Sequence, residues 1–82
     1  MYPAVKNVKP LEGYKLLLHF TNGEEKIFDV SPYLNLGKFS ELQDQSLFRS
    51  VTVSFDTIQW ANQLDIDPEL LYDKSKNAGA EV

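Results

Sequence analysis

The sequence predicts an α+β domain: a three-stranded antiparallel meander, short helical segments laid across it, a second small hairpin and a short C-terminal helix. Three observations carry that reading. Residues 14–30, YKLLLHFTNGEEKIFDV, are two apolar-rich runs joined across Thr21-Asn22-Gly23. Asn-Gly between such runs is the strongest short-range hairpin signal, because both residues tolerate positive φ. Residues 51–55, VTVSF, alternate apolar and polar without fault, the period of a half-buried strand. Asp67-Pro68-Glu69 combines a capping carboxylate, proline at the first helical position and an acid where the helix dipole favours it.

Residues 4–9 form the first strand. Val5 and Val8 do not alternate cleanly, and the prolines at 3 and 10 suit an exposed edge strand that donates few ladder bonds. Glu12-Gly13 then turns the chain into the central hairpin, whose register decides what faces the core. A two-residue loop at Asn22-Gly23 would set Leu16 opposite Asp29, Lys15 opposite Val30 and His19 opposite Lys26. A three-residue loop over 21–23, with Gly23 in the left-handed position of a bulge, pairs Tyr14 with Val30, Leu16 with Phe28, Leu17 with Ile27, Lys15 with Asp29 and His19 with Glu25. Each good cross-strand pair contributes ~0.2–1 kcal/mol and a one-residue slip turns a strand inside out, so the second register is the expected one. The inward face then carries Tyr14, Leu16, Leu18, Phe20, Phe28 and Val30, with Glu24 and Lys26 completing the row near the turn; Leu17 and Ile27 lie on the other face.

Past Val30 the pattern changes. Ser31 as N-cap, Pro32 behind it and Gly37 as a stop define a short turn over 32–36, anchored by Leu34 and Leu36. Phe39 and Leu42 fall at i, i+3 within 38–43, and Asp44 caps a further turn over 45–50 carrying Leu47 and Phe48. These pieces are too interrupted for one helix and are expected to roof the hairpin's apolar face. In the second hairpin, Asp56-Thr57 as the loop pairs Phe55 with Ile58 and Val53 with Trp60. Residues 62–66 read as a loop, and the helix over 68–74 is short enough to need docking through Leu70 or Leu71 and Tyr72. A single domain over 1–74 is expected, with 75–82 a disordered tail that has nothing to pack.

Eighty-two residues leave room for one core only. Hydrophobic content of 43% and charged content of 24% are those of a globular protein. With no cysteine there is no disulfide framework and no thiolate metal site, and no stretch resembles a signal peptide or membrane span. A cytoplasmic setting is the expectation. A net charge of −4 with scattered Lys and Arg argues against nucleic acid, which needs a clustered basic patch.

The titratable residues and glycines have structural explanations. His19 is the only histidine; a general base needs a nucleophile and an orienter, and its cross-strand neighbour is Glu25. Asp65, Asp67 and Glu69 lack the further oxygen ligands, the central glycine and the closing glutamate of a calcium loop. Glu24-Glu25 lies at a hairpin tip, where no burial raises a carboxyl pKa. The four glycines are too dispersed to cradle phosphate. No enzyme, cofactor or metal is expected. Most aromatics alternate toward the core, but Trp60 ends a short strand beside a polar loop, a place where a half-exposed indole anchors a partner.

The ordered set Phe20-Thr21-Asn22-Gly23-Glu24, Phe28-Asp29-Val30, Leu34, Phe39, Leu42, Phe48, Ile58-Gln59-Trp60 and Asp67-Pro68-Glu69-Leu70-Leu71-Tyr72 resembles the bacterial domain of unknown function 2442 family over nearly all of the chain. The family tends toward a proline and a glycine around the asparagine after the tryptophan, where Ala61-Asn62-Gln63 stands here. The resemblance implies a small α+β domain like the N-terminal half of two-domain helix-turn-helix proteins. It also implies a gene neighbourhood shared with a small protein of another family, an arrangement of the toxin and antitoxin kind. It implies no catalytic residues.

The functional expectation is therefore a protein-binding module, the antitoxin-like member of a two-gene pair, whose partner is a small basic protein. Trp60, Asn62, Asp65, Glu24 and Glu25 are the expected partner-binding residues. A homodimer through the edge strand is compatible with this. A small-molecule-binding or regulatory domain with a pocket between helices and sheet is the alternative.

Overall fold

The computed structural model describes residues 2–78. β1 (Val5–Leu11), β2 (Lys15–Phe20) and β3 (Glu25–Asp29) form the antiparallel meander. β2 and β3 take the register of the three-residue loop: Leu16 faces Phe28, Leu17 faces Ile27, Lys15 faces Asp29 and His19 faces Glu25. Gly23 adopts φ +91°, and its amide donates to the Phe20 carbonyl at 3.0 Å. At the open end the Val30 amide donates to the Tyr14 carbonyl at 2.9 Å. Leu16, Leu18, Phe20, Phe28 and Val30 are all buried, as the alternation requires. Each such side chain contributes ~1.5–3 kcal/mol on leaving water.

Two 3-10 turns, Ser31–Tyr33 and Gly37–Gln43, and the one-turn helix α1 (Gln45–Phe48) roof that face. Tyr33 stacks on Phe28 at 5.7 Å between centroids, Phe48 meets Tyr14 edge-on at 5.2 Å, and Leu42 and Phe48 are buried. Asp44 caps α1 as expected, its Oδ1 accepting from the Ser46 amide at 3.0 Å. Ser31 caps nothing. It lies inside its turn, where Asp29 Oδ1 accepts from both its amide and its hydroxyl, an Asx turn that satisfies these donors from outside. Leu36 is no anchor, being 56% exposed.

The second hairpin is where the structure departs most from the expectation. β4 (Thr52–Ser54) and β5 (Thr57–Gln59) pair with Val53 opposite Ile58 and Ser54 opposite Thr57, so the loop is Phe55-Asp56. Because side chains repeat every two residues, this shift leaves every strand residue on its expected face. Phe55, however, leaves the strand for the loop. Tertiary contacts select the register: the Thr57 hydroxyl donates to the Ile66 carbonyl at 2.6 Å in a buried position, and the Val5 amide donates to the Asp56 carbonyl at 3.2 Å.

α2 (Pro68–Lys74) starts and stops where its signals place it and docks through Leu71, which is fully buried. Asp67 occupies the N-cap without a side-chain capping bond. The expected tail is corrected in part. Ser75 is buried, its hydroxyl donating to the Tyr72 carbonyl, and β6 (Lys76–Asn77) pairs with Lys26 and Ile27 of β3. The sheet is thus four-stranded, ordered β1-β2-β3-β6; residues 79–82 of the expected tail lie outside the described ones.

β1 is an edge strand that donates little on its outer side, as its prolines led one to expect. A bulge between Val5 and Asn7 sets the outward positions at Val5, Val8 and Pro10. The Val5 amide is taken by Asp56, the Val8 amide by Asn7 Oδ1 at 2.9 Å, and proline has no donor. A strand added at β1 would find these three positions without a free amide.

Two outcomes follow from this packing. Phe28→Ala should lower unfolding free energy in urea titration by about 3–5 kcal/mol, since the fully buried ring leaves a cavity between sheet and roof. Restoring two donors with Asn7→Ala and Pro10→Val should make the chain associate with rising concentration in sedimentation runs where the parent chain's mass stays constant; equal masses would show that the edge is silenced by something else.

Candidate functional site

A built surface lies where the tip of the central hairpin meets α2, with Tyr2 from the segment before β1. On α2, Glu69 in the first turn and Asp73 one turn later share a face, with Tyr72 beside them. Leu71 points into the core, so Tyr72 leans along the sheet and meets Phe20 edge-on at 5.2 Å. Lys26 Nζ stands 3.7 Å from the Tyr72 ring centroid and donates to the Tyr72 carbonyl at 3.3 Å. The Tyr72 hydroxyl donates to Glu24 Oε1 at 2.6 Å, and the Asn22 side-chain amide donates to the same oxygen. Glu24 and Lys26, the charged end of the hairpin's inward row, are thus provided for by one tyrosine.

Tyr2, Glu69, Tyr72 and Asp73 line an open hollow of about 270 Å³. Partial burial pushes the Tyr2 phenol up, and Asp56, Asp67 and Glu69 add to the shift. The hydrogen bond from Tyr72 holds the Glu24 carboxyl below its ordinary range, with Asn22 helping; the same bond raises the Tyr72 hydroxyl. Two phenol rings set among carboxylates form a surface suited to a cation, attracted both by π-faces and by net negative charge.

The expected partner-binding residues are not gathered in one place. Glu24 belongs to the tyrosine cluster. Glu25 sits across from His19, with Oε2 3.6 Å from Nδ1. Trp60 requires correction: it is 2% exposed, its indole N–H donates to the Phe48 carbonyl at 3.0 Å, and no partner reaches it. Asn62 is occupied inside the fold, its side-chain amide donating to Glu41 at 3.0 Å while Oδ1 accepts from the Leu64 amide. Asp65 is exposed and bridges to Gln59 in an isolated β-pairing. Sequence reasoning missed Tyr2, Glu69, Tyr72 and Asp73. The signal for Tyr72 was present: two charged residues on an inward row demand a polar partner above them.

Among the described residues no group of three or more His, Asp or Glu is placed to hold a metal ion, no helix is long and apolar enough to cross a membrane, and no buried side-chain nitrogen or oxygen lacks a hydrogen-bond partner.

Residues 5–77 match the family described as protein of unknown function, DUF2442, and the chain belongs to that family. The comparisons with curated proteins and with solved structures found no match.

The Glu24–Tyr72 bond sets a two-sided pH dependence. Folding favours the carboxylate and the neutral phenol, so the contribution is complete between their ordinary values of 4.5 and 10.0. It is lost as pH falls through the lowered Glu24 value and as pH rises through the raised Tyr72 value. The difference in melting temperature between the parent chain and Tyr72→Phe should be greatest within that window and shrink at both ends. A difference independent of pH would assign the effect to ring packing instead.

Proposed function

We propose that this chain is a protein-binding module, the antitoxin-like member of a bacterial two-gene pair, which holds a small basic protein in the cytoplasm. The observation that carries the reading is the hollow at Tyr2, Glu69, Tyr72 and Asp73, where aromatic faces and carboxylates converge on an acidic chain of net charge −4. Lys26 Nζ, 3.7 Å from the Tyr72 ring centroid, supports the reading, because it is the kind of cation–aromatic contact that a partner's Lys or Arg would make beside these carboxylates. Charge complementarity of this kind speeds encounter and excludes acidic competitors.

A pocket for a metabolite is the second reading, and the size of the hollow weighs against it. At about 270 Å³ it falls below the ~300–1,000 Å³ of small-molecule sites, which are also mostly apolar. The residues lining it are acids and phenols, a better match to one basic side chain than to a buried ligand.

Co-expression with the protein encoded by the adjacent gene tests the proposal. A stable complex is expected, weakening as salt is raised. Replacing Glu69 and Asp73 together by Lys should reduce affinity by about tenfold or more, as removal of two complementary charges does, with the melting temperature little changed. Absence of a complex, or a metabolite screen that raises the melting temperature of the isolated chain, would overturn it.

A further inference from the structure

We propose that Phe55 is the apolar anchor through which this module seats in its partner, entering an apolar slot whose rim carries basic side chains. The inference rests on the binding reading above and adds to it the residue that holds the complex together.

Phe55 is 98% exposed, and its φ is +57° at the first position of a two-residue hairpin loop. Positive φ at that position is the province of glycine, and a bulky residue there is a genuine outlier. The fold gains no burial from the ring and bears the strain of its backbone. Such a combination points to use outside the fold.

The knob is also held still. Its neighbour Asp56 accepts the Val5 amide at 3.2 Å, and the Thr57 hydroxyl is fixed to the Ile66 carbonyl at 2.6 Å. The ring therefore projects from a loop tied to β1 on one side and to the core on the other, so little loop order is lost on docking. Val53, on β4 two residues earlier, is 36% exposed and widens the apolar area.

Charge identifies the occupant. Asp56 adjoins Phe55 in the loop and, with Asp67 and Glu69, lies near enough to the Tyr2 phenol to disfavour its ionisation. The knob thus has an acid beside it in the loop, and that acid shares the neighbourhood of Tyr2 with Asp67 and Glu69. A second copy meeting it tip to tip would set Asp56 against Asp56, while each chain carries net charge −4. A basic-rimmed slot on another protein meets both the ring and its surroundings.

The probe is the protein encoded by the adjacent gene, with complex formation measured by titration calorimetry against the parent chain, Phe55→Gly and Asp56→Lys. Phe55→Gly should hold or raise the melting temperature while weakening the complex by about thirtyfold or more, the loss typical of a hot-spot aromatic. Asp56→Lys should weaken it to a smaller, salt-dependent degree. A parent chain that binds while Phe55→Gly binds equally well overturns the anchor and leaves the binding module standing. A Phe55→Gly chain that melts lower than the parent places the ring in the service of the fold and overturns it as well. A parent chain that forms no complex removes the binding reading, and the anchor falls with it.

Discussion

The closure of the central hairpin over residues 21–23 governs what the remaining chain can do. Gly23 supplies a positive φ that other residues adopt at a cost, and a three-residue loop then sets Leu16 against Phe28. One residue of slip would set Leu16 opposite Asp29 and turn one strand inside out, so that Glu25 and Asp29 would come to the inner face in place of Lys26 and Phe28 and the roof would lose its apolar floor. From this one turn follow the floor on which Tyr33 and Phe48 rest and the inward row that ends in Glu24 and Lys26. It also positions the flank of β3 along which β6 pairs. The tyrosine cluster is therefore the end of a register and not a separate construction.

What was legible in the sequence was mostly local. Asn22-Gly23 and the alternation around it fixed the register to the residue, and Pro68 fixed the start of α2. The misreadings came where distant contacts overrode local preference. Asp56-Thr57 is the better turn pair in isolation, but Thr57 is needed against Ile66 and Asp56 against β1, so the loop moved back onto Phe55. A strand pattern without fault thereby misled at its last residue. Trp60 sat beside a polar loop in sequence, yet that loop folds tightly, the Trp60 amide donating to the Leu64 carbonyl at 2.9 Å, and the indole is drawn under the roof. The Tyr2 hollow was invisible because its lining comes from both ends of the chain, which periodicity cannot bring together.

Family membership fixes the kinship of the fold without assigning a role to any residue, so the functional proposals rest on surface physics. Two features recommend binding over chemistry. Where the protein tolerates a left-handed backbone, at Tyr14, Phe55 and Gln63, it obtains a ring packed on Phe48, an exposed ring and a tight loop, and not a poised reactive group. Where it gathers charge, around Tyr2 and Tyr72, it gathers carboxylates beside aromatic faces. The blocked edge of β1 agrees with this division. If the chain recognises a partner through side chains, as proposed, a closed backbone ladder at β1 limits pairing with other strands.

The burial of Trp60 has an optical consequence. It is the chain's sole indole, sealed from water with its N–H bound to the Phe48 carbonyl. Its emission therefore gauges how well the roof lies on the strands, blue while the lid is shut and red once solvent enters. Because the indole lies in the interior, an unaltered spectrum on mixing with another molecule would signify an undisturbed interior and not a failure to meet.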